Sequence, residues 1–265
     1  MKTWAAALVS LACLWLSACA TPPGDAQPSR EVRTDSDQTD GERRARVRLE
    51  LASAYFGRGQ LSTALDEVKQ ALASKPDLPE AYNLRGLILA SMGENKSAEE
   101  SFQRALQLNP RDADTLHNHG WFLCQERRYE DGERQFTAAL SQPQYLGGAR
   151  TTFALGVCQA RAGRWEDAER TLSRSYELDP ANPVTAFNLS EVLLRRGELV
   201  RARFYVGRIN ANPDQSNAQS LWLATRIEHR LANAVGVQTF GRQLRERFPQ
   251  SAETLQFERG RFDDQ

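Results

Sequence analysis

The side chains that most often carry chemistry are few in this chain. There are three histidines, His117, His119 and His229. His117 and His119 stand two apart, which on a helix turns them about 200° from one another and away from a shared ligand. His229 lies far along the chain, and no cluster of Cys and His has the spacing of a metal site. No metal and no cofactor are therefore expected. Neither a glycine-rich phosphate loop nor a Gly-x-Ser-x-Gly turn is present. The 34 basic residues are balanced by 34 acidic ones at a pI near 6.9. Without a basic stripe and interleaved aromatics, nucleic acid is not an expected partner. What remains reactive is the thiol set, Cys13, Cys19, Cys124 and Cys158.

The elements that position these residues are read from a repeat. Small residues recur at Ala52, Gly86, Gly120, Gly156, Ser190 and Ala224, at spacings of 34, 34, 36, 34 and 34. Gly59, Gly93, Arg127, Gly163, Gly197 and Leu231 keep the same step. So do Ala64, Ala98, Gly132, Ala168, Ala202 and Gly236, each followed four residues later by Val68, Phe102, Phe136, Leu172, Val206 or Phe240. A 34-residue period with small residues at helix crossings and large apolar ones between them is the signature of the tetratricopeptide repeat, two antiparallel helices per unit. The expected fold is all-α, a superhelical solenoid of about six helix pairs. Its repeats run approximately over 45–78, 79–112, 113–148, 149–182, 183–216 and 217–250, with a tail over 251–265. Repeat six departs most from the pattern, as a terminal cap does. Two extra residues enlarge the Gln142–Gly148 loop. Such a solenoid leaves no second domain to hold catalytic residues, so no enzyme is expected; it offers a long curved surface for another chain.

Ahead of the repeats, Lys2 and the apolar run Trp4–Leu16 form a targeting segment too short to span a bilayer as a mature helix. The run ends in Leu16-Ser17-Ala18-Cys19, which resembles the lipobox of bacterial lipoproteins. That resemblance implies a signal peptide over 1–18, cleavage before Cys19 and lipidation of Cys19. Two or three acyl chains anchor stably where one does not. Ala20 follows, and the absence of Asp there implies sorting to the outer membrane, with the mature chain facing an oxidising periplasm. Residues 19–44 hold Pro22, Pro23 and Pro28 with many polar residues, and Val32 is their one bulky aliphatic. They read as a flexible tether, spanning roughly 25–30 Å as a random coil.

Cys124 and Cys158 fall on corresponding first helices of repeats three and four, so the two thiols can come within disulfide range. Two readings stand for them: a disulfide in an oxidising compartment, or two small buried hydrophobes. The same first helices build the concave face. It reads Leu49, Ser53 and Phe56 in repeat one, then Asn83, Leu87 and Ala90, then His117, Trp121 and Cys124. Repeat four supplies Phe153, Val157 and Ala160, and repeat five Phe187, Glu191 and Leu194. No lysine stands at the fifth position of any repeat, so the groove reads as apolar and suits an amphipathic helix or a hydrophobic strand. Phe153 and Phe187 also suit the core between repeats.

With lipobox, tether and six repeats in place, the chain resembles the type IV pilus biogenesis/stability lipoprotein family, PilF/PilW. The closest local matches are Asn118-His119-Gly120-Trp121-Phe122-Leu123-Cys124, the Gln142–Leu146 insert, Leu155-Gly156-Val157-Cys158, and the stretch from Gln243-Leu244-Arg245 to Phe248-Pro249-Gln250-Ser251. The resemblance implies a pilotin, a lipoprotein that helps the pilus secretin reach or assemble in the outer membrane. The implied partners are a secretin subunit and, through lipid on Cys19, the inner leaflet of the outer membrane. A general periplasmic scaffold that recruits envelope enzymes, such as those acting on peptidoglycan, is the alternative.

Overall fold

The computed structural model describes residues 39–262, and Cys19 with the expected signal peptide lies outside them. From Gly41 onward the described residues form one unit. Twelve of the described helices pair off: α1 (Asp40–Gly57) with α2 (Leu61–Ser74), α3 (Pro79–Ser91) with α4 (Asn95–Leu108), and α5 (Ala113–Gln125) with α6 (Tyr129–Leu140). Then come α7 (Gly148–Arg161) with α8 (Trp165–Leu178), α9 (Pro183–Arg196) with α10 (Leu199–Asn210), and α11 (Ala218–Arg230) with α12 (Ala234–Arg247). A short α13 (Ala252–Glu258) follows.

Local sequence sets the starts of these helices. Pro79 and Pro183 occupy the first turn, where a missing N–H costs nothing. Asp112, Asn182 and Asn217 cap their helices with side-chain oxygens, and Asn217 with Ser220 forms a reciprocal capping box. The glycines at the turn within a pair, such as Gly93 and Gly197, take φ of +79°, a region costly for any residue with a Cβ. Arg127 adopts φ of +62° in their place in repeat three. In repeat six the positive φ falls on Ala232, at +55°, one residue beyond the expected Leu231.

Packing follows the small-to-large pairing. Phe102, Phe136 and Leu172 are fully buried on the second helices. A Cβ at Gly86 would lie 2.7 Å from the Phe102 ring, and one at Gly156 2.7 Å from the Leu172 side chain. The tightest crossing is α5 on α6, where a Cβ at Gly132 would lie 2.8 Å from the carbonyl oxygen of Gly120. Backbone cannot swing aside as a side chain can. Gly132→Ala is therefore expected to destabilise by about 1–3 kcal/mol, read as a lowered urea midpoint with an unchanged helical spectrum. A variant as stable as the parent would contradict this packing.

First helices touch the first helices of the next repeat: α3 meets α5, α5 meets α7, α7 meets α9 and α9 meets α11. Among the described residues no two second helices approach in this way. The first helices thus form the inner, concave row and the second helices splay outward. Ion pairs stitch the outer row across repeats, with Glu99 to Arg128 (2.7 Å), Glu133 to Arg164, Glu169 to Arg196 and Arg201, and Arg203 to Glu228. The Glu99–Arg128 and Glu133–Arg164 pairs are partly exposed on both sides and worth about 0–1 kcal/mol each, whereas Glu169 and Glu228 are nearly buried and would be left uncompensated without their arginines.

The expected start of the repeats moves, and the expected tail folds back on the cap. α1 begins at Asp40, five residues before the expected start of the repeats at Ala45 and inside the expected tether over 19–44. At the other end the tail is α13, docked on α11 and α12. Phe257 is buried there beside Gly241, and Phe262 stacks on His229 at 4.3 Å and lies 5.7 Å from Trp222. This covers the apolar end that an uncapped solenoid would leave open.

Candidate functional site: the inner face of the first helices

Cys124 and Cys158, each almost fully buried, join α5 to α7 through a disulfide, with Cα atoms 5.8 Å apart. Of the two readings of this pair, the structure takes the bridge. Trp121 lies half-buried over it, against Cys124, Phe136, Ala154, Leu155 and Cys158. The guanidinium of Arg161 sits 4.9 Å above the Trp121 ring, within range of a cation–π contact. The indole is thus held between the cluster around the bridge and the Arg161 guanidinium over its face.

The other expected groove residues divide. Leu49 and Phe56 are half-buried against the α1–α3 core, and Leu87 and Ala90 against the cluster around Phe102 and Phe122. Phe153, Val157, Ala160 and Phe187 pack partly against the core of repeats four to six. Each therefore serves the joint between repeats and also keeps an open edge. The Asn83 carbonyl accepts a hydrogen bond from the Asn118 amide (3.1 Å), tying repeat two to repeat three.

His117 does not belong to the groove. It is only 8% exposed, its Nδ1 hydrogen-bonds with Thr151 Oγ1 (2.9 Å), and its ring lies 5.7 Å from Phe136. Thr151 Oγ1 in turn bonds with the Tyr145 hydroxyl (2.8 Å), which is how the enlarged loop is held to the repeats. His117 is a strut between α5 and the inserted loop, unavailable to a guest.

Burial, reinforced by the nearby Arg150, pushes the His117 pKa down to about 4, against the opposing pull of Asp114. Burial also lowers that of His119. In the unfolded chain both titrate near 6.5, so acid protonates the unfolded state first. For His117 this contribution to stability is whole above about pH 6.5 and is lost as pH falls toward about 4, and His119 acts in the same direction. A urea midpoint measured at pH 5 is expected to lie below that at pH 7.5, and His117→Gln to flatten the difference. Equal midpoints in the parent would place both rings in solvent.

Charge gathers in the groove around Glu191, the one charged side chain among the concave positions read from the sequence. A cavity of about 330 Å³ opens among repeats four to six, lined by Val157, Arg161, Trp165, Glu191, Arg195 and Arg226, with others. Arg195 lies 5.9 Å from the centre of the Trp165 ring. Burial raises the Glu191 pKa above the usual carboxylate range, against the pull of Arg226 and Arg195. The inner face is therefore apolar over repeats one to three and mixed, with arginine over aromatic, farther on. Arg161 and Arg195 share one register in the last turn of α7 and α9, which was the available signal.

Among the described residues no group of His, Cys, Asp and Glu could hold a metal ion, and no helix is long and apolar enough to cross a membrane. What this surface can do is grip another chain by apolar contact and orient it by charge.

Comparisons with known proteins agree in kind. Family models of the tetratricopeptide repeat match residues 79–112, 122–183 and 159–223, and one of the TPR repeat matches 52–93. The type IV pilus assembly protein PilF of Pseudomonas aeruginosa is 28% identical over 253 residues, spanning 96% of this chain and 97% of that protein. An uncharacterized protein of Haemophilus influenzae is 25% identical over 135 residues, spanning 51% of this chain and 75% of that one. The solved structure of PilW, a widely conserved type IV pilus biogenesis factor, matches with a TM-score of 0.74 and 29% identity over 80% of this chain and 96% of that one. That of Pseudomonas aeruginosa PilF matches with a TM-score of 0.73 and 24% identity, over 84% of this chain and 100% of that one. The chain belongs to the tetratricopeptide-repeat family and is similar along nearly its whole length to type IV pilus biogenesis proteins.

Proposed function

We propose that this protein is a pilotin: an outer-membrane lipoprotein, anchored by lipid on Cys19 and facing the periplasm, whose inner face binds a subunit of the type IV pilus secretin and promotes its localisation and assembly. The observation that carries the reading is the half-buried apolar row Leu49, Phe56, Leu87 and Trp121 along the first helices, in a chain similar along 96% of its length to a pilus assembly protein. A secretin subunit in transit exposes unpaired barrel strands or amphipathic segments that are prone to aggregate. An apolar inner face shields such a segment, and a lipid anchor brings it to the bilayer. The role is binding and delivery, with no catalytic step.

Cys19→Ser tests the anchored part of the reading. The variant is expected to keep its repeats folded, to leave the outer-membrane fraction, and to reduce the yield of assembled secretin oligomers. A variant that still fractionates with the outer membrane and supports normal oligomers would overturn the anchor.

A further inference from the structure

Arg161, Arg195 and Arg226 line the cavity of about 330 Å³ on the inner face of repeats four to six, with Glu191 as its one carboxylate. Arg161 and Arg195 are exposed and stand 34 apart, so they take one place in successive repeats. The equivalent residues of repeats two and three are Ser91 and Gln125, which carry no charge. Leu87, Trp121, Val157 and Glu191 likewise share one place on the first helices. Along that row the face passes from apolar side chains to a carboxylate with guanidinium groups around it.

The arginines of the outer row are engaged by neighbours: Arg128 by Glu99, Arg164 by Glu133, Arg196 by Glu169 and Arg203 by Glu228. Arg161 and Arg195 differ. Each lies over an indole, Trp121 at 4.9 Å and Trp165 at 5.9 Å. Among the described residues neither side chain enters an ion pair or donates a hydrogen bond. An aromatic face holds a guanidinium in place without accepting its in-plane N–H donors. Glu191 sits in the field of Arg195 and Arg226, and Arg161 has no carboxylate partner, so the lining is positive on balance.

We propose that this cavity seats an acidic side chain of the guest, an Asp or Glu, and so gives the inner face a direction. The acidic residue lies over repeats four and five, and the guest's apolar stretch lies toward repeat one. A carboxylate accepts two parallel N–H bonds from a guanidinium, and Val157, Ala160 and Trp165 around it suit an acidic residue set beside apolar ones. A basic residue would meet like charges there. The assignment rests on the inner face as the seat of the guest, and not on the guest being a secretin.

The test uses the full chain and random peptides displayed on phage, selected in parallel on the parent, on Arg161→Gln with Arg195→Gln, and on Arg161→Lys with Arg195→Lys. Circular dichroism checks that all three are folded, as exposed positions allow. Parent binders are expected to carry an apolar stretch with Asp or Glu to one side of it. The Gln double variant is expected to keep the apolar preference and lose the acidic one, which the Lys double variant retains. The strongest parent binder, resynthesised with blocked ends, is expected to bind at least about tenfold more weakly when its acidic residue is made the amide, or when the Gln double variant replaces the parent. Both changes together should cost little more than either alone. A photoreactive group at the acidic end should label α7 or α9, and one at the apolar end α1 or α3; the reverse would overturn the direction. Binders without an acidic preference, the same preference in the Gln double variant, or no binders at all would overturn the proposal. Loss of all binding by both double variants would mean that the arginines only keep the indoles in place, and would overturn it as well. Peptides that obey the charge rule on a face that binds no purified secretin would remove the secretin reading and leave the acidic seat standing.

Discussion

Replacing Cys124 and Cys158 together by alanine is expected to lower stability by about 3–4 kcal/mol. The two residues are 34 apart in sequence, and in the chain-entropy account a bridge of that span removes about this much freedom from the unfolded chain. Both sulfurs lie in the packed joint between α5 and α7, so the alanines add a small loss of apolar contact. The measurement is urea unfolding of parent and double variant, with the parent repeated in reductant. Reduced parent and double variant should fall together. An unchanged midpoint would mean that the packing of repeats three and four alone fixes their joint.

Trp121→Ala carries the largest expected effect on binding. Trp121 keeps an open edge on the inner face, backed by the bridge and flanked by Arg161. A large aromatic fixed on a packed floor is the usual make-up of an interface hot spot. Loss of about 2 kcal/mol of affinity for the secretin segment is expected, or roughly thirtyfold. Because the ring also covers the joint, circular dichroism and a urea midpoint must accompany the affinity. A folded variant that binds as well as the parent would remove Trp121 from the interface.

The repeat register was readable because it rests on sterics. A residue that must be small where α5 crosses α6, such as Gly120 or Gly132, leaves a mark that no surface substitution can blur. Glycine at a turn that needs positive φ leaves another, although Arg127 and Ala232 show that the backbone can impose that φ on other residues. The cysteine pair was visible for the same reason, since equal positions in adjacent repeats must be neighbours in space. The ends were not so marked. α1 reaches back to Asp40 through a polar stretch whose composition matches a tether, and α13 has no repeat to be aligned with.

On the inner face, position alone does not separate lining from strut. His117 has the register of a groove residue, yet its ring hydrogen-bonds with Thr151 of α7, whose hydroxyl also bonds with Tyr145 of the inserted loop, which no periodicity describes. Arg161 and Arg195 reach the groove because long side chains fold back over aromatic rings from the last helical turn. The outer ion pairs join residues about 30 apart in sequence, such as Glu99 and Arg128, and only the curvature of the solenoid brings them together. His119 was read only as a poor metal ligand. Its ring is stacked against Phe102 and Phe122 in the core between repeats two and three.

The central claim is that the inner face of the first helices receives the secretin. Site-specific photocrosslinking in cells tests it most directly, with a photoreactive residue placed at Leu87 or Trp121 and, as the outer control, at Val200 or Phe204, which are exposed on α10. The account predicts a crosslinked secretin subunit from the two inner positions and none from the outer pair. Secretin captured only from Val200 or Phe204, or from none of the four while the pilus still assembles, would contradict it.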